Sequence, residues 1–286
     1  MVTANLHGDE CIGLEAIRRL HDSLPSSLEC GSVHLYPTLN PRGLQAGVRN
    51  LPEDRQDPNR AFPGDATGRA VEQHAFGIWE NILSREPDLV VDLHSDSTRA
   101  IPYAIVDRVL SGDEALGARC EELAEATGLT VIREYPRERY LRYRLDRSLP
   151  GALVNHASIA AITVEAGPRN VLGSKEAQLV RDSVMSVLGC AGLTAWSQAT
   201  HPTNRNQGGP WRRESGPRCR HTGLLISLLE PGHKFAARQP LAEVHDLTGR
   251  RLETLCAKTS GIVVALPDRA WVTEGVSCAT LAVPDE

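Results

Sequence analysis

Apolar positions in the first two thirds of the chain follow two alternating patterns, short continuous runs and helical spacing. Strand-like runs lie at 2–6, 31–37, 87–94 and 159–167. Helical spacing of apolar residues lies at 10–23, 68–85, 114–128 and 174–189. Strands that alternate with helices of this length predict an α/β fold, in which helices cover both faces of a mostly parallel or mixed sheet.

The pattern changes near residue 197, where Gly, Pro and polar residues replace the long apolar segments. After about residue 220, short apolar runs such as GLLISLLE and GIVVALP alternate with turn residues, which is typical of a small all-β domain. We therefore predict an α/β domain over 1–197, a linker over 198–220 and a small β-domain over 221–286.

Composition and charge narrow the classes of protein. Of the 286 residues, 41% are hydrophobic and 23% are charged, as in ordinary globular domains. The net charge of −5 argues against binding to nucleic acid or an anionic membrane through overall charge. No apolar stretch approaches the roughly 20 residues of a membrane-spanning helix, and no signal peptide is visible. The seven cysteines include no CxxC pair, so we expect reduced thiols in a cytoplasmic protein.

The segment NLHGDE follows the first predicted strand and contains His7 and Glu10. Side chains three residues apart in a helical turn share a face, so the imidazole and the carboxylate can converge on one metal ion. Gly8 permits the tight turn between the strand and the helix. The alternative interpretation is a surface histidine beside an acidic residue that the dipole of the following helix stabilises.

A second histidine, His94, closes the apolar run DLVVDLH. Ligands of open α/β sheets bind at the carboxyl ends of the strands, and two histidines with one carboxylate are the usual protein ligands of a hydrolytic zinc. The alternative is a core histidine with satisfied hydrogen bonds. Asp92 lies two residues earlier on the same side of the strand, so we expect it either to orient His94 or to cap a neighbouring backbone group.

Glu165 ends the run AAITVE, at the end of another predicted buried strand. A carboxylate is costly to bury there without a role. The role that suits it is that of a general base, which takes a proton from a metal-activated water and passes it to the leaving amine. The alternative is a structural ion pair, for example with Arg169.

The long polar loop after the second predicted strand contains Arg49, Asn59 and Arg60. Arginine binds a carboxylate or polarises a carbonyl, and asparagine adds a neutral donor. A loop of this length inside a compact domain is often functional. Arg42 and Arg55 carry the same charge, so composition alone does not choose among the arginines.

Taken in order, the motifs NLHGDE, NPRG, DPNRAFPG, DLHS and TVEAG resemble those of the succinylglutamate desuccinylase/aspartoacylase family, which is related to the zinc carboxypeptidases. The C-terminal segment GLLISLLEPGHKFAARQPLAEVHD is similar to the small β-domain of these enzymes. The resemblance implies one zinc ion per chain on His7, Glu10 and His94, with Glu165 as the catalytic carboxylate. It also implies a zinc carboxypeptidase-like sheet.

For the substrate, the resemblance implies that Asn59 and Arg60 hold a carboxylate and that an arginine at the place of Arg49 polarises the scissile carbonyl. The chain has Asn155 and His156 where aspartoacylases have an arginine, and in this stretch it looks more like deacetylases of N-acetylated diamino acids. Its last tyrosine is Tyr143, so the C-terminal substrate-binding tyrosine of aspartoacylase-like members has no counterpart.

The leading hypothesis is therefore a zinc-dependent hydrolase that cleaves the amide bond of a small N-acyl amino acid. A carboxypeptidase-like enzyme for short peptides is the alternative, and a binding module with a degenerate site is a third hypothesis. We expect a small N-acylated substrate as partner, and neither nucleic acid nor membrane. The sequence leaves a homo-oligomer open, through the β-domain or the linker.

The segment REYPRERYLRYRLDR at 133–147 holds six arginines and three tyrosines. One interpretation is a rim that steers or clamps an anionic substrate. The other is a solvated face, on which arginine stems cover apolar surface and pair with nearby carboxylates. The second interpretation is favoured.

Overall fold

A computed structural model of the chain describes residues 1–196 and 209–285. These residues form two compact units. The first unit comprises 1–95 and 102–196, and the second comprises 96–101 and 209–285. Residues 96–101, which follow the strand that carries His94, therefore belong to the second unit. The sequence pattern does not predict this.

The helices and strands are numbered in chain order through both units. The helices are α1 Ile12–Ser23, α2 Pro41–Ala46, α3 Ala70–Leu83, α4 Glu114–Ala126, α5 Arg137–Arg142, α6 Leu149–His156 and α7 Ser174–Cys190. The strands are β1 Val2–Ala4, β2 Leu35–Tyr36, β3 Leu89–His94, β4 Arg99–Ala100, β5 Tyr103–Val106, β6 Thr130–Arg133, β7 Ala160–Glu165, β8 Trp211–Ser215, β9 Gly223–Ser227, β10 Lys234–Phe235, β11 Pro240–His245, β12 Arg251–Cys256, β13 Gly261–Leu266, β14 Trp271–Val272 and β15 Thr280–Pro284.

The sheet of the first unit has the strand order β6-β5-β7-β3-β1-β2. Neighbouring strands run parallel except β5 and β7, which are antiparallel. Helix α7 packs against both α1 and α4, and α6 packs against β3 and β7. The predicted α/β fold with a mostly parallel or mixed sheet is confirmed.

The two central strands, β3 and β7, separate apolar from polar side chains near their carboxyl ends. Leu93 and Val164 lie in the main apolar core. Because successive side chains of a strand point to opposite faces, the neighbours of these two residues point the other way. His94 is the register partner of Glu165, and Asp92 is the register partner of Thr163 on β7 and of Thr3 on β1. The register of the sheet therefore gathers polar side chains on one face of its carboxyl edge.

Parts of the first unit differ from the predicted layout. The predicted strand over 31–37 is only the two-residue β2. The predicted loop over 38–66 contains α2, which starts where the side chain of Asn40 accepts a hydrogen bond from Gly43 N. Strands β5 and β6 and helices α5 and α6 were not predicted, because each is short and gives too few periods of a pattern.

The second unit is antiparallel throughout its paired strands. One sheet has the order β12-β11-β9-β14, and β8, β15, β13 and β10 pair in that succession, with β4 beside β13. Its own apolar core includes Leu225, Val244, Leu255 and Leu281. The predicted C-terminal all-β character is confirmed.

The C-terminal part of the predicted linker over 198–220 contains a strand. Strand β8 lies inside it and pairs with β15, because main-chain pairing does not require the apolar side chains that the segment lacks. Residues 198–208 of that prediction lie outside the described residues, and the domain limits at 197 and 221 stay predictions. Within the described residues, every helix is too short or too polar to cross a bilayer.

Candidate metal and active site

Three predicted ligands, His7, Glu10 and His94, lie together at the carboxyl edge of the first unit's sheet. One potential ligand atom from each lies within 4.8 Å of those of the other two, and all three residues are buried. His7 Nδ1 is 2.9 Å from Glu10 Oε1, and His94 Nδ1 is 2.8 Å from Glu10 Oε2. Both imidazoles therefore turn the same ring nitrogen toward one carboxylate.

A single asparagine shapes the turn that carries two of these ligands. Asn5 adopts a left-handed conformation with φ of 56°, which asparagine tolerates better than most residues. Its side-chain amide donates to the carbonyl oxygens of His7, Gly8 and Glu10 at 3.0, 3.2 and 2.9 Å. The turn is thus held by the side chain of the residue that directly follows β1.

Gly8 brings this turn against the polar loop. Its amide donates to the carbonyl oxygen of Arg49 at 3.0 Å. A β-carbon on Gly8 would overlap the main chain of Gly43 and Leu44 in helix α2. Only glycine allows this approach, which holds the ligand turn and the loop that carries Arg49 in contact.

Each histidine is held from behind by a carboxylate. Asp92 Oδ2 lies 2.9 Å from His94 Nε2, and Thr3 Oγ1 donates to Asp92 Oδ1 at 2.7 Å. Asp57 Oδ1 lies 3.0 Å from His7 Nε2. A carboxylate on one ring nitrogen fixes the orientation of the ring and raises the basicity of the other nitrogen, as behind metal-bound histidines generally.

The donor set fits a divalent transition metal. Two imidazole nitrogens and one carboxylate are the protein ligands of many hydrolytic zinc sites, which leave a further coordination position open. Burial alone would raise the pKa of Glu10, but the two neighbouring histidines hold this pKa well below its ordinary value. Glu10 is therefore ionised, which is the form that a cation binds.

Among the loop arginines predicted as candidates, Arg49 lies at the site. Its Nη1 donates to Glu10 Oε1 at 2.8 Å, and its Nη2 lies 3.4 Å from Asp57 Oδ2. Burial lowers the pKa of Arg49, but the surrounding carboxylates outweigh it and raise this pKa above its ordinary value. Arg42 instead pairs with Glu53. Of these two arginines, Arg49 is therefore the one beside the predicted ligands, and its role in the reaction stays a prediction.

Asn59 and Arg60 lie on the short helical turn that Asp57 begins. Asp57 Oδ1 accepts from Asn59 N at 2.8 Å, so the carboxylate behind His7 also caps this turn. Asn59 Oδ1 accepts from Leu149 N at 2.7 Å, at the start of α6. Arg60 Nε donates to the carbonyl oxygen of Tyr143 at 3.0 Å. The acceptor of the Asn59 amide is therefore used within the fold, whereas no hydrogen bond of its NH₂ group is recorded among residues 1–196 and 209–285.

Glu165 lies next to His94 because β3 and β7 are paired in parallel register there. The pairing continues past the strands, since Ala166 N donates to the His94 carbonyl oxygen at 3.1 Å and Ser95 Oγ donates to the Ala166 carbonyl oxygen at 3.1 Å. On its other side, Glu165 is the antiparallel register partner of Tyr103 at the start of β5. The predicted base and a predicted ligand thus share one row of the sheet.

Comparison with known proteins is consistent with this geometry. Residues 1–190 match the model of the succinylglutamate desuccinylase/aspartoacylase catalytic domain. The chain belongs to the succinylglutamate desuccinylase/aspartoacylase family. The family predicted from the sequence motifs is therefore confirmed, and membership in the succinylglutamate desuccinylase/aspartoacylase family supports deacylase chemistry.

Individual relatives agree with the family assignment. The chain is 27% identical over 299 aligned residues to N-alpha-acetyl-L-2,4-diaminobutyric acid deacetylase of Halomonas elongata, covering 99% of this chain and 81% of the relative. An aspartoacylase family protein of Mesorhizobium loti superposes with a TM-score of 0.80 at 22% identity, over 100% of this chain and 85% of that one. The product-bound ectoine utilization protein EutE (DoeB) of Ruegeria pomeroyi gives 0.81 at 22% identity, over 99% and 84%. The two structures show the shared fold.

The sequence did not predict four residues that lie at or beside the site: Thr3, Asn5, Asp57 and Tyr103. Asp57 stands in the motif DPNR, but its contact with His7 spans 50 residues and no local pattern predicts it. A short polar residue before proline signals only a turn. The other three residues are placed by strand register or by the turn after β1, and the sequence alone does not predict either.

In the arginine-rich segment 133–147, two arginines lie over aromatic rings, and Tyr135, Tyr140 and Leu145 are buried in a small apolar cluster. The guanidinium of Arg139 lies 5.4 Å from the ring centre of Tyr135, and that of Arg142 lies 5.5 Å from the ring centre of Tyr143. The arginine side chains thus cover aromatic surface, as the favoured interpretation expects. The clamp for an anionic substrate stays a prediction.

Proposed function

We propose that this chain is a zinc-dependent amidohydrolase that cleaves the amide bond of a small N-acyl amino acid, with N-acetylated diamino acids as its substrate class. The observation that carries the proposal is the convergence of His7, Glu10 and His94, whose ligand atoms lie within 4.8 Å of one another beside Glu165. Two histidines and a carboxylate next to a second carboxylate form the minimal protein machinery of metal-assisted hydrolysis.

The metal would be held by His7, Glu10 and His94, with Asp57 and Asp92 fixing the two imidazoles. When bound, zinc supplies a Lewis acid that polarises a carbonyl and lowers the pKa of water to about 7. The carboxylates behind the histidines keep both Nδ1 atoms directed inward, so the ligand set is organised before the cation arrives.

Glu165 would act as the general base and then as the general acid. It accepts a proton from the attacking water as the oxygen–carbon bond forms, and it delivers that proton to the leaving nitrogen as the carbon–nitrogen bond breaks. The products are a carboxylic acid and a free amine. Arg49, whose guanidinium lies beside Glu10, would donate hydrogen bonds to the carbonyl oxygen as its negative charge grows.

Asn59 and Arg60 would bind the carboxylate of the substrate. The NH₂ group of Asn59 and the guanidinium of Arg60 both donate hydrogen bonds, and a charged pair to a carboxylate is the stronger contact. The substrate named for the Halomonas elongata relative carries such a carboxylate next to an N-acetyl group. Asn155, by contrast, uses its amide inside the fold, donating to the carbonyl oxygens of Arg108 and Gly151 at 3.0 and 2.9 Å.

The proposal is tested by assaying one metal-loaded preparation against four substrates: N-acetyl-2,4-diaminobutyrate, N-acetylaspartate, N-succinylglutamate and a short peptide. We expect the highest kcat/KM with the diamino acid, loss of activity after chelation and recovery on adding zinc. A preference for the peptide would favour the carboxypeptidase-like alternative. Absence of hydrolysis by the zinc-loaded protein would contradict the proposed function.

A further inference from the structure

Tyr103 stands in one row of the sheet with the proposed base and a proposed metal ligand. It is the direct antiparallel partner of Glu165, which in turn is the parallel partner of His94. Directly opposed residues of neighbouring strands project to the same face with β-carbons about 4.5–5.5 Å apart, within reach of long side chains. The three side chains therefore leave the sheet on the side where the ligands converge.

The packing of β5 supports this direction. Ala104 and Val106 alternate with Tyr103 along the strand and lie in the main apolar core. Because strand side chains alternate between faces, Tyr103 points to the opposite face, toward the polar row. Tyr103 is also completely buried, with 0% of its surface exposed. A buried phenol hydroxyl takes a hydrogen-bond partner, and the neighbouring glutamate is a strong acceptor.

We propose that Tyr103 is the positioning residue of the base: its hydroxyl donates a hydrogen bond to the Glu165 carboxylate and holds it in the orientation that proton transfer requires. The inference rests on the proposed function, since it gives Glu165 the role of base. In this role Tyr103 acts through Glu165 and not directly on the substrate or the metal. Loss of its hydroxyl should therefore slow turnover while leaving substrate binding and metal binding intact.

The test is a double-mutant cycle in metal-loaded protein with Tyr103→Phe, Glu165→Gln and the combined variant. Tyr103→Phe should lower kcat roughly 10-fold, the lower range for residues that orient catalytic groups, with little change in KM. Metal content should equal that of the wild type. In the Glu165→Gln background, Tyr103→Phe should have no further effect, because a residue that acts through the base has nothing left to position.

A matched control is Tyr140→Phe. Tyr140 is also completely buried, and its hydroxyl donates to Asp107 Oδ1 at 2.7 Å. Its loss should lower the Tm about as much as the loss of the Tyr103 hydroxyl does, yet leave kcat unchanged. This control separates loss of a buried hydrogen bond from loss of positioning.

Three results would overturn the inference: a kcat of Tyr103→Phe equal to that of the wild type, independent multiplication of the two single effects in the combined variant, or loss of metal from Tyr103→Phe. Each leaves the proposed function standing if the wild type hydrolyses N-acyl amino acids. A zinc-loaded wild type without hydrolysis would overturn both, so the two failures are distinguishable.

Discussion

The two histidines of the metal site are supported by regions of different kinds. His94 and its carboxylate, Asp92, lie two residues apart on one strand, and both are almost completely buried, with 3% and 0% of their side chains exposed. His7 lies on a turn, and its carboxylate, Asp57, comes from a loop 50 residues away and is 31% exposed. The site therefore has a strand half, which contains His94 and Asp92, and a loop half, which contains His7 and Asp57.

The difference lies in what positions each half of the site. The strand half is fixed by sheet register, since β1, β3 and β7 place Thr3, Asp92 and Glu165 without help from loops. The loop half depends on contacts between the ligand turn and the segment around Asp57. We therefore expect changes in the strand half to cost more than equivalent changes in the loop half.

The largest effect is expected from removing the strand ligand. In His94→Ala only two protein ligands remain, so most of the metal and the hydrolytic activity should be lost. Metal content after dialysis, measured by elemental analysis, checks this. His74→Ala is the control, because His74 is a partly buried histidine away from the ligands whose described hydrogen bond goes to the Leu39 carbonyl oxygen. A His94→Ala variant with wild-type metal content would show that His94 is not a ligand.

Glu165→Gln should follow, with kcat reduced at least ~10²-fold, because general acid–base groups contribute that much or more. The amide keeps the size of the side chain but cannot accept the proton. Metal content should stay at the wild-type level, which distinguishes this variant from the ligand variant. Near-normal turnover would refute the assignment of Glu165 as base.

Asp92→Asn tests the support behind the strand histidine. Replacement of a carboxylate behind a metal-bound histidine typically weakens metal affinity about 10–100-fold, and the complete burial of Asp92 places it at the upper end. Competition with a chelator of known affinity measures the change. An unchanged affinity would mean that sheet register alone orients His94.

Asn59→Asp tests whether the loop half binds the substrate. The carboxylate retains an acceptor for Leu149 N but replaces the NH₂ donor with negative charge, so KM should rise about 10-fold or more while Tm is kept. Asn59→Ala loses both functions and should raise KM and lower Tm. Equal KM values for Asn59→Asp and wild type would remove Asn59 from the substrate site.

The smallest effect is expected from Asp57→Asn. Because this carboxylate is partly exposed, its pairing with His7 is screened by water, and metal affinity should fall less than about 10-fold. The same chelator competition applies. If Asp57→Asn lowers the metal affinity more than Asp92→Asn does, the loop half contributes more to metal binding than the strand half. That result would contradict the expected order.

The strand half could largely be predicted from the sequence. The continuous apolar runs marked β3 and β7, and their ends placed His94 and Glu165 at one edge, while the two-residue spacing put Asp92 on the same face as His94. These inferences need only local periodicity and the rule that ligands bind at the carboxyl edge of the sheet.

The rest could not be predicted, because it depends on long-range pairing. Strand β5 has four residues and runs antiparallel to β7, and no periodic signal of that length reveals a partner or a direction. The contact of Asp57 with His7 likewise requires a loop to fold back across 50 residues. The choice of Arg49 over Arg42 has the same origin, since both carry one charge and differ only in where the loop takes them.

The close approach of Gly8 to the main chain of Gly43 has a consequence for the evolution of the site. A side chain at position 8 would push the two backbones apart and carry Arg49 away from the ligands, and one at position 43 would overlap the Asn40 side chain that caps α2. Insertions or substitutions that change substrate choice are therefore expected to be tolerated after this contact and not at the two glycines. A library that randomises the loop should keep both glycines fixed and vary the residues beyond α2.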